Sequence, residues 1–129
     1  MCGIMGYVGT RPAKDIIYAG LKRMEYRGYD SAGIAVLNRS VHTMKAVGDT
    51  SKLDITTLPA SARTGIGHTR WATHGVPSTE NAHPHTFGSI TLVHNGIIEN
   101  YHELTKLIDG TLLKSQTDSE VLAGPCSRR

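Results

Sequence analysis

Cys2 is the residue best placed for chemistry. Once Met1 is removed, Cys2 carries a thiol and the α-amine of the chain on one residue. A thiol titrating near ~8.5 needs little activation, and an α-amine titrating near ~7.7–8.0 is a usable base at neutral pH. Together they suit acyl transfer by an N-terminal nucleophile. The plainer alternative is a small buried residue that opens a strand, and on position by itself that is the commoner case.

A second candidate group lies in Gly65-Ile66-Gly67-His68-Thr69-Arg70-Trp71-Ala72-Thr73-His74-Gly75. Arg70 offers a planar, permanently charged fork that matches a carboxylate, and Trp71, the only tryptophan, can cover a small ligand. The alternatives are a surface ion pair for Arg70 and a core anchor for Trp71. A third group is Val93-His94-Asn95-Gly96. Asn-Gly after an apolar strand is a turn signal, yet an Asn carboxamide and the next Gly N–H are also the donors of an oxyanion hole. Asp118 opens a helix, where a negative charge is favourable by itself; it can equally pair with a cationic ligand group. His68, His74, His83, His85 and His94 cluster in the middle of the chain. No His-x-x-x-His falls on a helix and no Cys joins them at zinc spacing, so packing and hydrogen bonding is the better account.

These residues need positioning elements. The pattern predicts a strand over 3–8, a helix over 14–27 with Ile16, Ile17, Leu21 and Met24 on one stripe, a strand over 31–37, and a hairpin partner over 41–47. Residues 50–63 read as short helix or loop. Strands are expected over 65–70 and 89–93, separated by a His-, Pro- and Asn-rich loop over 73–88. A helix over 100–108 should present Tyr101, Leu104, Leu107 and Ile108 on one face. Thr117-Asp118-Ser119-Glu120 is a capping box that starts a third helix, expected to stop within one or two turns at Gly124-Pro125. The order points to a mixed α+β domain.

Composition narrows the class. The chain has 129 residues, 39% hydrophobic and 19% charged, with a formal net charge of +3. That is enough for one domain with a core. Scattered arginines give no nucleic-acid stripe, and no apolar run reaches the ~18 residues of a membrane span. The N-terminus lacks the features of a secretory signal, so a cytoplasmic location is expected. Cys2 and Cys126 are then expected to be free thiols.

Each signal is weak in isolation, but their order is specific. Met1-Cys2-Gly3-Ile4, Glu25-Tyr26-Arg27-Gly28-Tyr29-Asp30-Ser31-Ala32-Gly33-Ile34, His68 through Gly75, Asn81-Ala82-His83-Pro84-His85, His94-Asn95-Gly96-Ile97-Ile98-Glu99-Asn100 and Thr117-Asp118-Ser119-Glu120 resemble the glutaminase (type 2 glutamine amidotransferase) domain of the glucosamine-6-phosphate synthase family. The resemblance runs over residues 1–121. It implies an N-terminal-nucleophile hydrolase fold, an αββα four-layer sandwich. It implies Cys2 as nucleophile, Asn95 and Gly96 as oxyanion donors, Arg70, Thr73 and His74 at the α-carboxylate of L-glutamine, Asp118 at its α-ammonium, and Trp71, Arg27 and Gly28 around the pocket. No metal and no organic cofactor is implied. In the family, ammonia passes to an isomerase part acting on fructose 6-phosphate, in an enzyme expected to be a homo-oligomer; that part has no counterpart in this sequence. Residues 122–129 depart from the family pattern, which reads as a truncation or frame-shift of an incomplete domain.

Overall fold

The computed structural model describes residues 2–27, 29–72 and 75–127, without the side chain of Arg27. Its framework is a four-stranded antiparallel sheet made of β1 (Gly3–Val8), β2 (Ser31–Asn38), β3 (Ser40–Val47) and β4 (Thr64–Arg70), in the order β1-β4-β2-β3. The register pairs Gly3 with Thr69, Gly33 with His68 and Ser31 with Arg70.

Side chains alternate across a strand, so each face of this sheet has its own composition. One face carries Met5, Ile34, Val36 and Gly67 and is covered by α1 (Ala13–Met24). Ala13, Ile17 and Leu21 of α1 are fully buried there, while Ile16 of the expected stripe is only half-buried. The helix lies close because Gly67 has no side chain: a Cβ there would come within 2.4 Å of Ile17 Cγ2. Glu25–Arg27, expected as the end of this helix, forms a 3₁₀ turn instead. Glu25 leaves the α register and accepts hydrogen bonds from the Thr50 N–H and hydroxyl.

The opposite face carries Ile4, His68 and Arg70, and the 76–91 segment crosses it. Gly33 makes the crossing possible, because a Cβ at that position would sit 1.9 Å from the His83 carbonyl oxygen. The expected loop over 73–88 therefore contains an unpredicted strand, β5 (His85–Phe87), paired with β6 (Ile90–Leu92). At three residues β5 is too short for alternation to register in a sequence, whereas β6 lies within the strand expected over 89–93. Behind this ribbon pack α2 (Tyr101–Thr105) and α3 (Asp118–Cys126). The layers thus run helix, sheet, ribbon, helix.

Two further helix expectations differ from the structure. The second helix ends at Thr105, leaving Leu107 exposed while Ile108 is buried. The third does not stop at Gly124-Pro125 but runs through to Cys126. Pro125 removes one amide donor in the last turn, where the loss is small. The turn is held from outside: Ala123 is fully buried, and Ile108 packs so closely on Gly124 that a Cβ would lie 2.6 Å from Ile108 Cγ2.

The capping box is half formed. Thr117 Oγ1 accepts from the Glu120 N–H at 3.3 Å, but the Glu120 carboxylate does not return to the cap. Buried, it accepts from the Lys114 N–H (2.8 Å), the Ser115 N–H (2.6 Å) and the Ser115 hydroxyl (2.5 Å), pinning the segment before the helix. No helix among the described residues is long and apolar enough to cross a membrane. Cys2 and Cys126 are both free thiols.

Candidate active site

The sheet delivers three chemical groups to one place. Alternation along β1 puts Cys2 on the same side as Ile4, away from α1. The antiparallel neighbour β4 brings His68 and Arg70 to that side beside it. The loop after β6 brings His94, Asn95 and Gly96, and the first turn of α3 brings Asp118. A cavity of about 260 Å³ lies between them, with Cys2, Arg70, Trp71, Gly96 and Asp118 in its walls. This is below the ~300–1,000 Å³ common for drug-sized ligands and suits something the size of an amino acid.

At the centre, the Trp71 N–H donates to Cys2 Sγ at 3.1 Å. The Asn95 Nδ2 group donates to the Cys2 carbonyl at 3.0 Å. Gly96 follows with φ +140°, a conformation that a side chain would strain. Cys2 and Gly96 thus line the cavity, and the Asn95 carboxamide stands beside them on the Cys2 carbonyl.

The other walls carry opposite charges. Arg70 is 3% exposed, and its guanidinium donates to the carbonyls of Gly75 (3.1 Å) and Val76 (3.3 Å), with Asp30 Oδ1 at 3.9 Å. Asp118 is 4% exposed, and its Oδ2 accepts from the Ile98 N–H at 2.7 Å. A fixed cation and a fixed anion across a small cavity form a complementary cradle for a zwitterion. Trp71 is 56% exposed at the mouth, which rules out the core-anchor alternative and leaves its ring at the entrance.

Thr73, His74 and Gly28 lie outside the described residues, as does the side chain of Arg27. Two contributors were not assigned roles from sequence. Asp30 accepts from the Ala72 N–H and the Ser31 hydroxyl, and its own N–H donates to the Arg70 carbonyl at 2.7 Å, fixing the chain between Arg70 and Ala72. Its place in the Tyr29-Asp30-Ser31 string was a usable signal. Ser119, whose hydroxyl lies 3.1 Å from His94 Nδ1, had none.

His68, His83 and His85 pack against one another. His68 stacks on His83 with ring centroids 4.0 Å apart, and His85 meets His83 edge-on at 4.5 Å. Burial pushes His68 down to about 4 and His85 to about 3, and holds His83 well below the usual histidine range, with neighbouring positive charge adding to the effect. No group of three or more His, Cys, Asp or Glu among the described residues is arranged to hold a metal.

Comparison with known proteins fits this geometry. No family model matches the chain. The glutamine–fructose-6-phosphate aminotransferase (isomerizing) of Methanosarcina acetivorans is 53% identical over 95% of this chain, and the match covers 21% of that enzyme. The enzyme of the same name from Thermus thermophilus is also 53% identical over 95% of the chain, covering 22% of its own length. In sequence, the chain matches the N-terminal portion of these aminotransferases. It spans about a fifth of the length of the curated relatives it matches. Among solved structures, the glutamine phosphoribosylpyrophosphate amidotransferase of Bacillus subtilis superposes over 100% of this chain and 30% of its own, with TM-score 0.81 and 27% identity. A structure described as the allosteric regulatory enzyme of purine biosynthesis gives TM-score 0.84 at 28% identity, over 100% of this chain and 30% of that one. The fold is that of the N-terminal-nucleophile glutamine amidotransferases.

Proposed function

We propose that this chain hydrolyses L-glutamine to glutamate and ammonia through a thioester on Cys2. The observation that carries the proposal is the convergence of a thiol, a Gly residue, a cation and an acid on one small cavity, with the Asn95 carboxamide beside the thiol's residue. The identity to the aminotransferases supports the same reading.

In this mechanism Met1 is removed and the free α-amine of Cys2 takes the thiol proton. The sulfur attacks the side-chain amide carbon of glutamine, and the carbonyl electrons move to oxygen. Asn95 Nδ2 and the Gly96 N–H hold that oxyanion. The α-ammonium returns its proton to the amide nitrogen, the C–N bond breaks and ammonia leaves. Water then cleaves the γ-glutamyl thioester by the same route and frees Cys2. Arg70 holds the α-carboxylate, Asp118 the α-ammonium, and Thr73 and His74 complete the carboxylate site. Trp71 borders the entrance, and Arg27 and Gly28 are assigned to substrate binding with it. The steps use side chains and backbone groups throughout.

The acceptor we assign is fructose 6-phosphate, through an isomerase part of a longer homo-oligomeric enzyme working in the cytoplasm. The relatives named for that sugar are 53% identical to this chain, whereas the phosphoribosylpyrophosphate enzyme is 27% identical.

The test is glutamate release from glutamine by the chain and by Cys2→Ala, with mass spectrometry of the quenched protein. Release that disappears in the variant, with a γ-glutamyl adduct on the parent's Cys2, is expected. Equal release from both, or an adduct elsewhere, would overturn the mechanism.

A further inference from the structure

The Asn95 carboxamide has two ends, and only one can serve an oxyanion. Its Nδ2 lies 3.0 Å from the Cys2 carbonyl oxygen, and its Oδ1 lies 2.8 Å from His68 Nε2. The same Nε2 lies 3.1 Å from the His94 carbonyl oxygen. A carboxamide turned over would set Oδ1 against the Cys2 carbonyl, two acceptors face to face. It would also set Nδ2 against Nε2.

The His94 carbonyl fixes which kind of nitrogen Nε2 must be. A carbonyl can only accept, so a ring nitrogen within hydrogen-bond distance of it must carry a hydrogen. With that hydrogen on Nε2, the neighbouring Asn95 atom must be the oxygen. The constraint therefore runs from a backbone carbonyl, through one imidazole, to the orientation of a side chain beside the nucleophile.

The ring is held in place to transmit it. His68 is 1% exposed and projects from the centre of the sheet, opposite Gly33 on β2. Because Gly33 has no side chain, the His83–Pro84 segment lies directly on the sheet, and the His83 ring stacks on His68 with an interplanar angle of 16°. The other ring nitrogen, Nδ1, is buried with no hydrogen-bond partner among the described residues, so that side of the ring offers a proton no acceptor. Arg70 adds positive charge nearby, which also disfavours a second ring proton.

We infer that His68 is a positioning residue: its neutral Nε2–H form locks the Asn95 carboxamide with Nδ2 turned toward Cys2. The inference rests on the proposed role of Asn95 as an oxyanion donor and adds how that donor is oriented. His68 Nε2 bonds to Asn95 and His94 and not to Cys2, so its effect reaches the reaction through Asn95.

Two measurements on the full chain test it. Nitrogen-15 NMR of the histidine rings at pH 7 should show a protonated-type Nε2 and an unprotonated-type Nδ1 for His68. The opposite tautomer would overturn the inference whatever the activity. Glutaminase kinetics should then separate His68→Leu from His68→Gln, whose side-chain amide can still donate to Asn95 Oδ1. His68→Leu should lose about 10²-fold in kcat while the glutamine KM stays within about threefold, and His68→Gln should recover most of that loss. Adding Asn95→Ala to His68→Leu should cost little more than Asn95→Ala by itself, since both remove one device. Losses that multiply, or a His68→Leu effect confined to KM, would overturn the inference. If His68→Leu does not fold, the tautomer of the parent and the kinetics of His68→Gln decide. If Cys2→Ala releases glutamate as fast as the parent, the proposed function fails. The ring tautomer, with the Asn95 amide-proton exchange compared between parent and His68→Gln, then still decides whether His68 holds the carboxamide.

Discussion

Replacing Asn95 by Ala removes a side chain with two hydrogen bonds, 3.0 Å to the Cys2 carbonyl and 2.8 Å to His68 Nε2. The ground-state cost is small, because Asn95 is exposed and water replaces much of what is lost. Two such bonds at about 1 kcal/mol each set an upper range of ~2 kcal/mol in stability. The transition state loses more. An oxyanion that forms beside Nδ2 and the Gly96 N–H is left with one donor, and losing one donor costs about 10²–10³ in kcat, some 3–4 kcal/mol. The remaining Gly96 donor keeps the rate above that of Cys2→Ala. Glutamine binding should hold, because Arg70 and Asp118 stand on other walls of the cavity. Asn95→Asp sharpens the test. It has nearly the same shape, but it places negative charge where negative charge develops, so its kcat should fall at least as far. The assay is steady-state glutamate release over a range of glutamine concentrations, with thermal melting alongside. An Asn95→Ala protein with normal kcat and a KM raised tenfold or more would refute the reasoning, since Asn95 would then be a ground-state binding group.

Further outcomes follow from the same geometry. Arg70→Lys keeps the charge but loses the planar fork that also supports the Gly75 and Val76 carbonyls. One charge-assisted bond lost from a bound carboxylate is worth about 1.5–3 kcal/mol, so glutamine KM should rise roughly ten- to hundredfold with kcat less affected; an unchanged KM would remove Arg70 from the binding site. The histidine stack makes stability depend on pH with a definite sign. His68, His83 and His85 all have depressed pKa values in the fold, His68 about 4 and His85 about 3, against an ordinary value of 6.5. The unfolded chain therefore binds protons first as pH falls. The stability from keeping these rings neutral is complete above 6.5 and is lost progressively toward pH 4, with a slope of up to about 4 kcal/mol per pH unit when all three take part. Melting temperatures at pH 7, 6 and 5 should fall in that order, and a flat profile would mean the rings are not buried as a neutral stack.

The sequence by itself determined the parts that rest on local rules. Apolar and small or branched runs broken by glycines and turn residues marked strands over 3–8, 31–37 and 65–70, and the stripe of Ile16, Ile17, Leu21 and Met24 marked α1 because a helix imposes period 3.6. The order of the motifs also brought forward Cys2, Arg70, Asn95, Gly96 and Asp118, which the fold gathers around one cavity or beside it.

What only the tertiary structure decided are the contacts between residues far apart in the chain. His68 and Asn95 are 27 residues apart, Ala72 and Asp30 are 42 apart, and Asn95 and Cys2 are 93 apart. No local periodicity encodes such pairs. They arise when β4 enters the sheet between β1 and β2 and the 76–91 segment crosses above Gly33. The same applies to α3, where Gly124-Pro125 reads locally as a stop. The turn survives because Ile108 packs against it, and packing against a partner outweighs the small cost of one missing amide near a helix end.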